Sequence, residues 1–420
     1  MNMNRLVRLA FFVFTSVLMT ECLWAEENSM KISDRLASGK DTVRIVCFGD
    51  SITGIYYHTG GRRAYCDMLG IALKRIYPNA KIKMLNAGVS GNDTAKGWAR
   101  IERDVLSRKP DLVVIMFGMN DCRTDITQGP FISNLKKIVH RCREIGAEIV
   151  LCTPNSVYPI EKGRTVENLA ACAEIIRNVA KDLSVPLADC YRAFENIHAA
   201  NDMEWKLLMS ERIHPNMNGH KLFAEVIAET ISGKRVVLKE LPPHSPSLSF
   251  TFDLLSDKRP INVIAMPPYD RIIPEVLLKL YPDAVINMTT WPVAGTSLSD
   301  IVKWAKNIRA MKPNLVTIAI PAEFNLSTES SYNYSYEWIL NWSLNRDTQT
   351  WDTFAILPSV IEIHIKTNDL PRANLARRVI LGKDIGFVER KAGDNSPPKE
   401  IIFRWIQAQH KVWSDSRQMK

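Results

Sequence analysis

The chemistry-bearing residues of this chain gather in four short stretches. Gly49, Asp50 and Ser51 follow at once on the apolar run VRIVCF; NAGVSGNDT occupies residues 86–94; GMND occupies 118–121; and SERIHPNMNGH, 210–220, carries Glu211 and His214. A serine hydroxyl is a poor nucleophile until a neighbouring imidazole takes its proton, and histidine suits that task because its unperturbed pKa lies near neutrality. Fixed amide donors can then stabilise the negative charge that builds on a carbonyl oxygen. These are the residue types of nucleophilic acyl transfer, provided the fold brings them together. No metal-ligand spacing and no CxxC occur, so neither a metal nor another cofactor is expected.

From residue 43 onward, short apolar runs alternate with amphipathic segments. VRIVCF, KIKMLNAG, DLVVIMFG, AEIVLCTP and VPLADC read as strands, and FISNLKKIVHRCREIG places Ile132, Leu135, Val139 and Cys142 at helical spacing. Continuous apolar strands separated by helices predict an α/β fold with a parallel sheet covered on both faces. Such sheets bind ligands at the carboxyl ends of their strands. The first three stretches fall at those ends and the fourth just before GHKLFAEVIAETI, the helix that closes a unit spanning 40–235. One rim therefore collects all four.

In these four blocks, in this order, residues 43 to about 232 resemble the SGNH, or GDSL, hydrolase family. The resemblance implies a flavodoxin-like three-layer α/β/α domain with Ser51 as nucleophile and His214 as general base. It further implies an oxyanion hole built from the backbone N–H groups of Ser51 and Gly91 and the side chain of Asn120. One position departs from the pattern: Glu211 stands where the family has Asp, three residues before the histidine. The carboxylate is retained, so Glu211 is the expected orienter of His214, with a backbone carbonyl as the alternative. Asp50 and Asp121 are expected to hold their loops. His58, in the loop IYYHTGGRR with Arg62 and Arg63, is a candidate sugar or anion contact, and Asn92 a candidate substrate contact or turn former.

After a Pro- and Ser-rich stretch, 236–260, expected to be a linker or strap, the pattern returns. YPNAKIKMLNAGVSG (77–91) can be laid on YPDAVINMTTWPVAG (281–295), and SRKPDLVVIMFGMND (107–121) on AMKPNLVTIAIPAEF (310–324). Residues 261–420 are thus expected to form a second α/β domain, a degenerate SGNH-like copy. In it VIAMPPYD replaces VCFGDSIT, which puts Tyr269 or a neighbour in place of Ser51. PAEF replaces GMND, and His410 falls on the final helix rather than before it. This half is expected to be a non-catalytic partner. Its Trp291, Trp304, Trp338, Trp342 and Trp351 are expected in the core and domain interface, with sugar stacking as the other use.

The chain has 420 residues, 46% hydrophobic and 24% charged, enough for two globular domains. Residues 1–25 have the basic start, the apolar LAFFVFTSVLMT and the small residue Ala25 of a secretory signal peptide, and that run is short of the roughly 20 residues needed to span a bilayer. Export to a secreted or periplasmic location is expected, with no membrane anchor after cleavage. The net charge of +9 is not gathered into a dense basic run, and nucleic acid is not an expected partner. Seven cysteines remain between 47 and 190, an odd number that leaves at least one thiol free. The expected function is an exported serine esterase acting on short acyl esters, acetyl foremost, of a small molecule or polysaccharide. A lipase or lysophospholipase, and a glycan-binding protein with a disabled site, are the alternatives.

Overall fold

The computed structural model describes residues 31–123, 128–159, 163–322, 328–347, 349–362 and 369–418. The expected signal peptide lies outside the described residues, as do two of the four PAEF positions. The first half opens with α1 (Ile32–Ser38) and builds a five-stranded parallel sheet of order β2-β1-β3-β4-β5. Its strands are β1 (Thr42–Gly49), β2 (Lys81–Gly88), β3 (Leu112–Met116), β4 (Glu148–Cys152) and β5 (Leu187–Ala188). β1 is flanked on both sides, and its last five residues are all buried, which is why its sequence is continuously apolar where an edge strand would alternate. The edge strand β2 keeps exposed lysines at Lys81 and Lys83.

Helices α2 (Tyr65–Ile76), α3 (Thr94–Asp104), α4 (Gln128–Glu144), α5 (Val166–Asp182), α6 (Cys190–Ala200), α7 (Asp202–Lys206) and α8 (Met217–Ser232) cover this sheet. Side-chain caps set several starts: Asp93 accepts from Lys96 N, Thr165 from Asn168 N, and Asn216 from Asn218 N and Gly219 N. Among the described residues no helix is long and apolar enough to cross a membrane. Cys122 and Cys172 form a disulfide between the GMND loop and α5, and Cys47, Cys66, Cys142, Cys152 and Cys190 are free and buried.

The second half forms its own five-stranded parallel sheet, of order β10-β9-β8-β6-β7. Read from the other edge, the strands stand in the same sequence of positions as in the first sheet. They are β6 (Ile261–Ala265), β7 (Ile286–Thr290), β8 (Leu315–Ile318), β9 (Asp352–Ile356) and β10 (Gly386–Val388). Around them lie α9 (Ser249–Ser256), α10 (Tyr269–Leu280), α11 (Leu298–Ala305), α12 (Ile308–Met311), α13 (Glu329–Ser343), α14 (Leu370–Leu381) and α15 (Pro398–Gln418). The stretch expected as a linker instead contains α9, which buries Phe252 and Leu255 in the second core. Pro and Ser mark the approach to that helix, and the apolar FTFDLL was the sign that a helix follows.

The two halves share polar contacts whose acidic partners are buried. Arg62 Nη2 donates to Asp352 Oδ1 at 2.6 Å, and Arg63 grips Asp384 with both Nε (2.7 Å) and Nη2 (2.6 Å). The loop expected to hold an anion subsite instead directs both guanidinium groups into the other half. Trp291 is fully buried and stacks on Trp304 at 4.9 Å, Trp351 donates from Nε1 to Ser343 O at 2.8 Å, and the half-buried Trp338 and Trp342 stack on each other along α13.

Candidate active site

At the carboxyl end of β1 the chain turns on Asp50. Its Oδ1 accepts from Ile52 N at 2.8 Å, and its carbonyl accepts from Thr53 N and Gly54 N, so Ser51 is held at the head of a closed turn. The turn sits tightly against its neighbours. A Cβ at Gly49 would lie 2.3 Å from Met116 O, and one at Gly88 2.2 Å from Gly54 N. Only hydrogen fits at either position.

Ser51 Oγ lies 2.9 Å from His214 Nε2 across 163 residues of sequence. His214 sits in a short hairpin after α7, closed by the Met209–Pro215 bridge and by Ser210 N donating to His214 O at 2.9 Å. Glu211 folds back onto this hairpin: Oε1 accepts from His214 N at 2.9 Å and contacts His214 Nδ1, while Oε2 accepts from Ile213 N at 3.3 Å. A carboxylate on Nδ1 assigns the proton to that nitrogen, which leaves Nε2 free to accept from Ser51. Burial alone would raise the Glu211 carboxyl, but the charge of His214 and these hydrogen bonds outweigh it and hold the group below the usual carboxylate range.

Asn120 lies on the same rim. Its Nδ2 donates to Asn92 O at 2.9 Å and makes a long contact, 3.4 Å, with Asp50 Oδ2. Its Oδ1 accepts from Arg164 Nη2 at 2.8 Å, and Arg164 Nε donates to Met119 O at 2.8 Å. Arg164 therefore fixes which way the Asn120 amide faces. Asp121 pins the loop by accepting from Thr94 N (2.8 Å), Thr94 Oγ1 (2.5 Å) and Gly118 N (3.2 Å). Gly91 adopts φ of 72°, the left-handed region, with open space where a side chain would stand.

Residues 47–222 match the GDSL-like lipase/acylhydrolase family. These residues form a GDSL-like lipase/acylhydrolase domain. An acetylxylan esterase of Geobacillus stearothermophilus is 25% identical over 38% of this chain and 76% of its own length. A second acetylxylan esterase, from Xylanibacter ruminicola, is 27% identical over 46% of this chain and 44% of its own. Among solved structures, the lipase/acylhydrolase from Enterococcus faecalis is 29% identical over 46% of this chain and 97% of its own, with a TM-score of 0.40. The family match over residues 47–222, with the esterase relatives, makes this a carboxylic ester hydrolase.

Two expected contacts of the acylhydrolase domain take other places. His58 is 1% exposed and lies flat against His214, ring centroids 4.7 Å apart and planes 16° apart, so it backs the imidazole and faces no substrate. The reason is the tight turn at Tyr57–Thr59, which folds the loop under the hairpin. Asn92 is likewise turned inward: its Oδ1 accepts from Arg100 Nε at 2.7 Å. Arg100, 8% exposed, also donates to Ala87 O and Gly49 O and lies over the Phe48 ring, joining the ends of β1 and β2. Burial, followed by the charges of His214, His220 and Lys383, pushes His58 well below the ordinary histidine range. Burial and the charge of His214 bring His220 down to about 3, and its Nδ1 accepts from Tyr65 N at 2.9 Å. The His214 imidazole is therefore backed by two buried rings, His58 and His220, that burial drives toward the neutral form. Asp50, raised to about 7 chiefly by burial, is a loop-holding carboxyl between Ile52 N and Asn120. Among the described residues no group of three or more His, Cys, Asp or Glu is placed to hold a metal ion.

Proposed function

We propose that the chain hydrolyses short acyl esters, in particular acetyl esters on carbohydrate, with Ser51 as nucleophile, His214 as general base and Glu211 as the carboxylate that orients it. The observation that carries this reading is the continuous line from Ser51 Oγ to His214 Nε2 at 2.9 Å and from His214 Nδ1 to Glu211. Ser51 Oγ attacks the ester carbonyl as its proton passes to His214 Nε2, and the imidazolium then protonates the leaving alcohol. Water attacks the acyl-serine by the same route in reverse, releasing the acid and restoring the hydroxyl. The N–H groups of Ser51 and Gly91 and the Asn120 amide receive the oxyanion; one such donor is worth about 3–4 kcal/mol in related chemistry. In the free chain both Asn120 amide protons face protein oxygens, so substrate must take the place of at least the long contact to Asp50.

The carbohydrate part of the reading draws on two relatives that are acetylxylan esterases, and the basic and then apolar sequence of residues 1–25 supports export. The second half is read as a non-catalytic relative of the first, a reading supported by the shared strand order. Acetate release from acetylated xylan, set beside fatty-acid release from phospholipid vesicles, tests the substrate class. Acetate release that S51A abolishes is the expected result. Fatty-acid release at the higher kcat/KM would make the chain a lipase, and glycan binding without turnover would make it a binder. Activity surviving S51A would place chemistry in the second half.

A further inference from the structure

The hairpin that carries His214 is gripped from behind by the second half of the chain. Lys383, between α14 and β10, is completely buried, and its Nζ reaches four oxygens. It donates to His58 O at 2.8 Å, Ser210 Oγ at 2.7 Å and Asn341 Oδ1 at 2.7 Å, and lies 3.0 Å from Glu337 Oε2. The three ammonium protons thus go to three directed hydrogen bonds, and the buried Glu337 supplies the counter-charge. Asn341, on α13, completes the hold on Ser210: its Oδ1 accepts from Ser210 Oγ at 3.0 Å and its Nδ2 donates to Ser210 O at 3.1 Å. Both the hydroxyl and the carbonyl of Ser210 are taken by the second half.

The far end of the hairpin is held in the same way. Asn216 Nδ2 donates to Glu337 Oε1 at 3.0 Å, and Met217 N donates to Gly382 O at 2.7 Å. The approach at Gly382 is so close that a Cβ there would lie 2.5 Å from Asn216 Nδ2. Glu211 and His214 lie between these two anchored ends, and His58, whose carbonyl Lys383 also holds, stacks on the His214 ring. A buried ion pair is costly to desolvate, and apolar residues of similar volume often serve stability equally well. Here the ammonium makes directed contacts with both layers that flank the imidazole, which apolar packing cannot reproduce.

We propose that Lys383 and Asn341 are positioning residues for His214, so that the second half completes an active site whose reacting groups all lie in the first. This rests on the reading of Ser51 and His214 as nucleophile and base. The full-length variant K383M/E337Q tests it: both buried charges go together, and the amide oxygen introduced by E337Q can still accept from Asn216. S210A, which removes one hydroxyl and no charge, is the second variant should the first not fold. Two readouts are taken, the kcat and KM for 4-nitrophenyl acetate and the hydrogen exchange of the Ser210 and His214 amides. In a variant with wild-type near-ultraviolet dichroism, kcat should fall about 10- to 100-fold with KM within about twofold, and both amides should exchange faster. A folded variant with kcat within about twofold of wild type, or with unchanged exchange, overturns the proposal. If the wild-type chain turns over no ester, the esterase reading falls, and the exchange result alone decides whether Lys383 holds the hairpin.

Discussion

Glu211 is the residue on which the site departs from its family resemblance, and its geometry shows how the longer side chain reaches the imidazole. The extra methylene is taken up by folding the carboxylate back over its own hairpin, onto the backbone N–H groups of Ile213 and His214. E211Q should leave those contacts partly intact while misassigning the imidazole tautomer, and should lower kcat by about 10²- to 10⁴-fold; E211D, too short to span the same arc, should retain more activity than E211Q but less than wild type. The acid stability follows from the same group. Because its folded pKa is depressed, its contribution is present above the unfolded carboxylate value and is lost as pH falls through the folded one. Urea midpoints measured from about pH 5 down to about pH 2 should therefore fall more steeply for wild type than for E211Q. Arg164 acts one step further out. R164A frees the Asn120 amide to rotate, and steady-state kinetics should show a loss of kcat smaller than the roughly 10²- to 10³-fold expected on removing an oxyanion donor outright.

At the scale of elements, the rim works because β1 ends in a turn packed against its neighbours without room for a side chain. G88A places a methyl group on the backbone of Gly54, inside the turn that presents Ser51. Overpacking of that kind costs about 1–3 kcal/mol, and both the melting temperature and kcat should drop. This level was largely legible in the sequence. Strands ending at Gly49, Gly88 and near Gly118 follow from continuous apolar runs, and the meeting of Ser51 with His214 and of Asn120 with Asp50 could be anticipated because each residue sits in a local block whose residue types nucleophilic chemistry would call for. The inward turn of His58 and the parts played by Arg100 and Arg164 were not legible. Arg164 meets Asn120 across 44 residues and Arg100 meets Gly49 across 51, with no local pattern to mark either. α9 was hidden by the Pro and Ser content around it, which marks turns but not what lies between them.

For the whole molecule, the two sheets are not independent beads. Arg63 is in the first half, Asp384 in the second, and the bidentate pair sits next in sequence to Lys383. R63M would leave the Asp384 carboxylate, 2% exposed, without its charged partner and with the N–H of His244 still donating to it, at a cost of about 3–5 kcal/mol for a buried pair broken on one side. Calorimetry should register that loss as a lower melting temperature, and activity should decline with it if the interface seats the His214 hairpin; R63K, keeping the charge but not the fork, should fall between R63M and wild type. A sequence reading could set the two halves side by side through their Tyr-Pro and Lys-Pro registers. It had no means of seeing that buried groups at 337, 341 and 383 meet residues 210 and 216, because such contacts depend on how two finished sheets dock.

Acylation of Ser51 tests the central claim most directly. Wild-type chain mixed with excess 4-nitrophenyl acetate, quenched in acid within the first turnovers and digested for mass spectrometry, should carry a single acetyl group on the peptide containing Ser51. The adduct should be missing from S51A and strongly reduced in H214A. Acetate turnover proceeding in S51A at the wild-type rate, or an acetyl group trapped on another residue, would contradict the account.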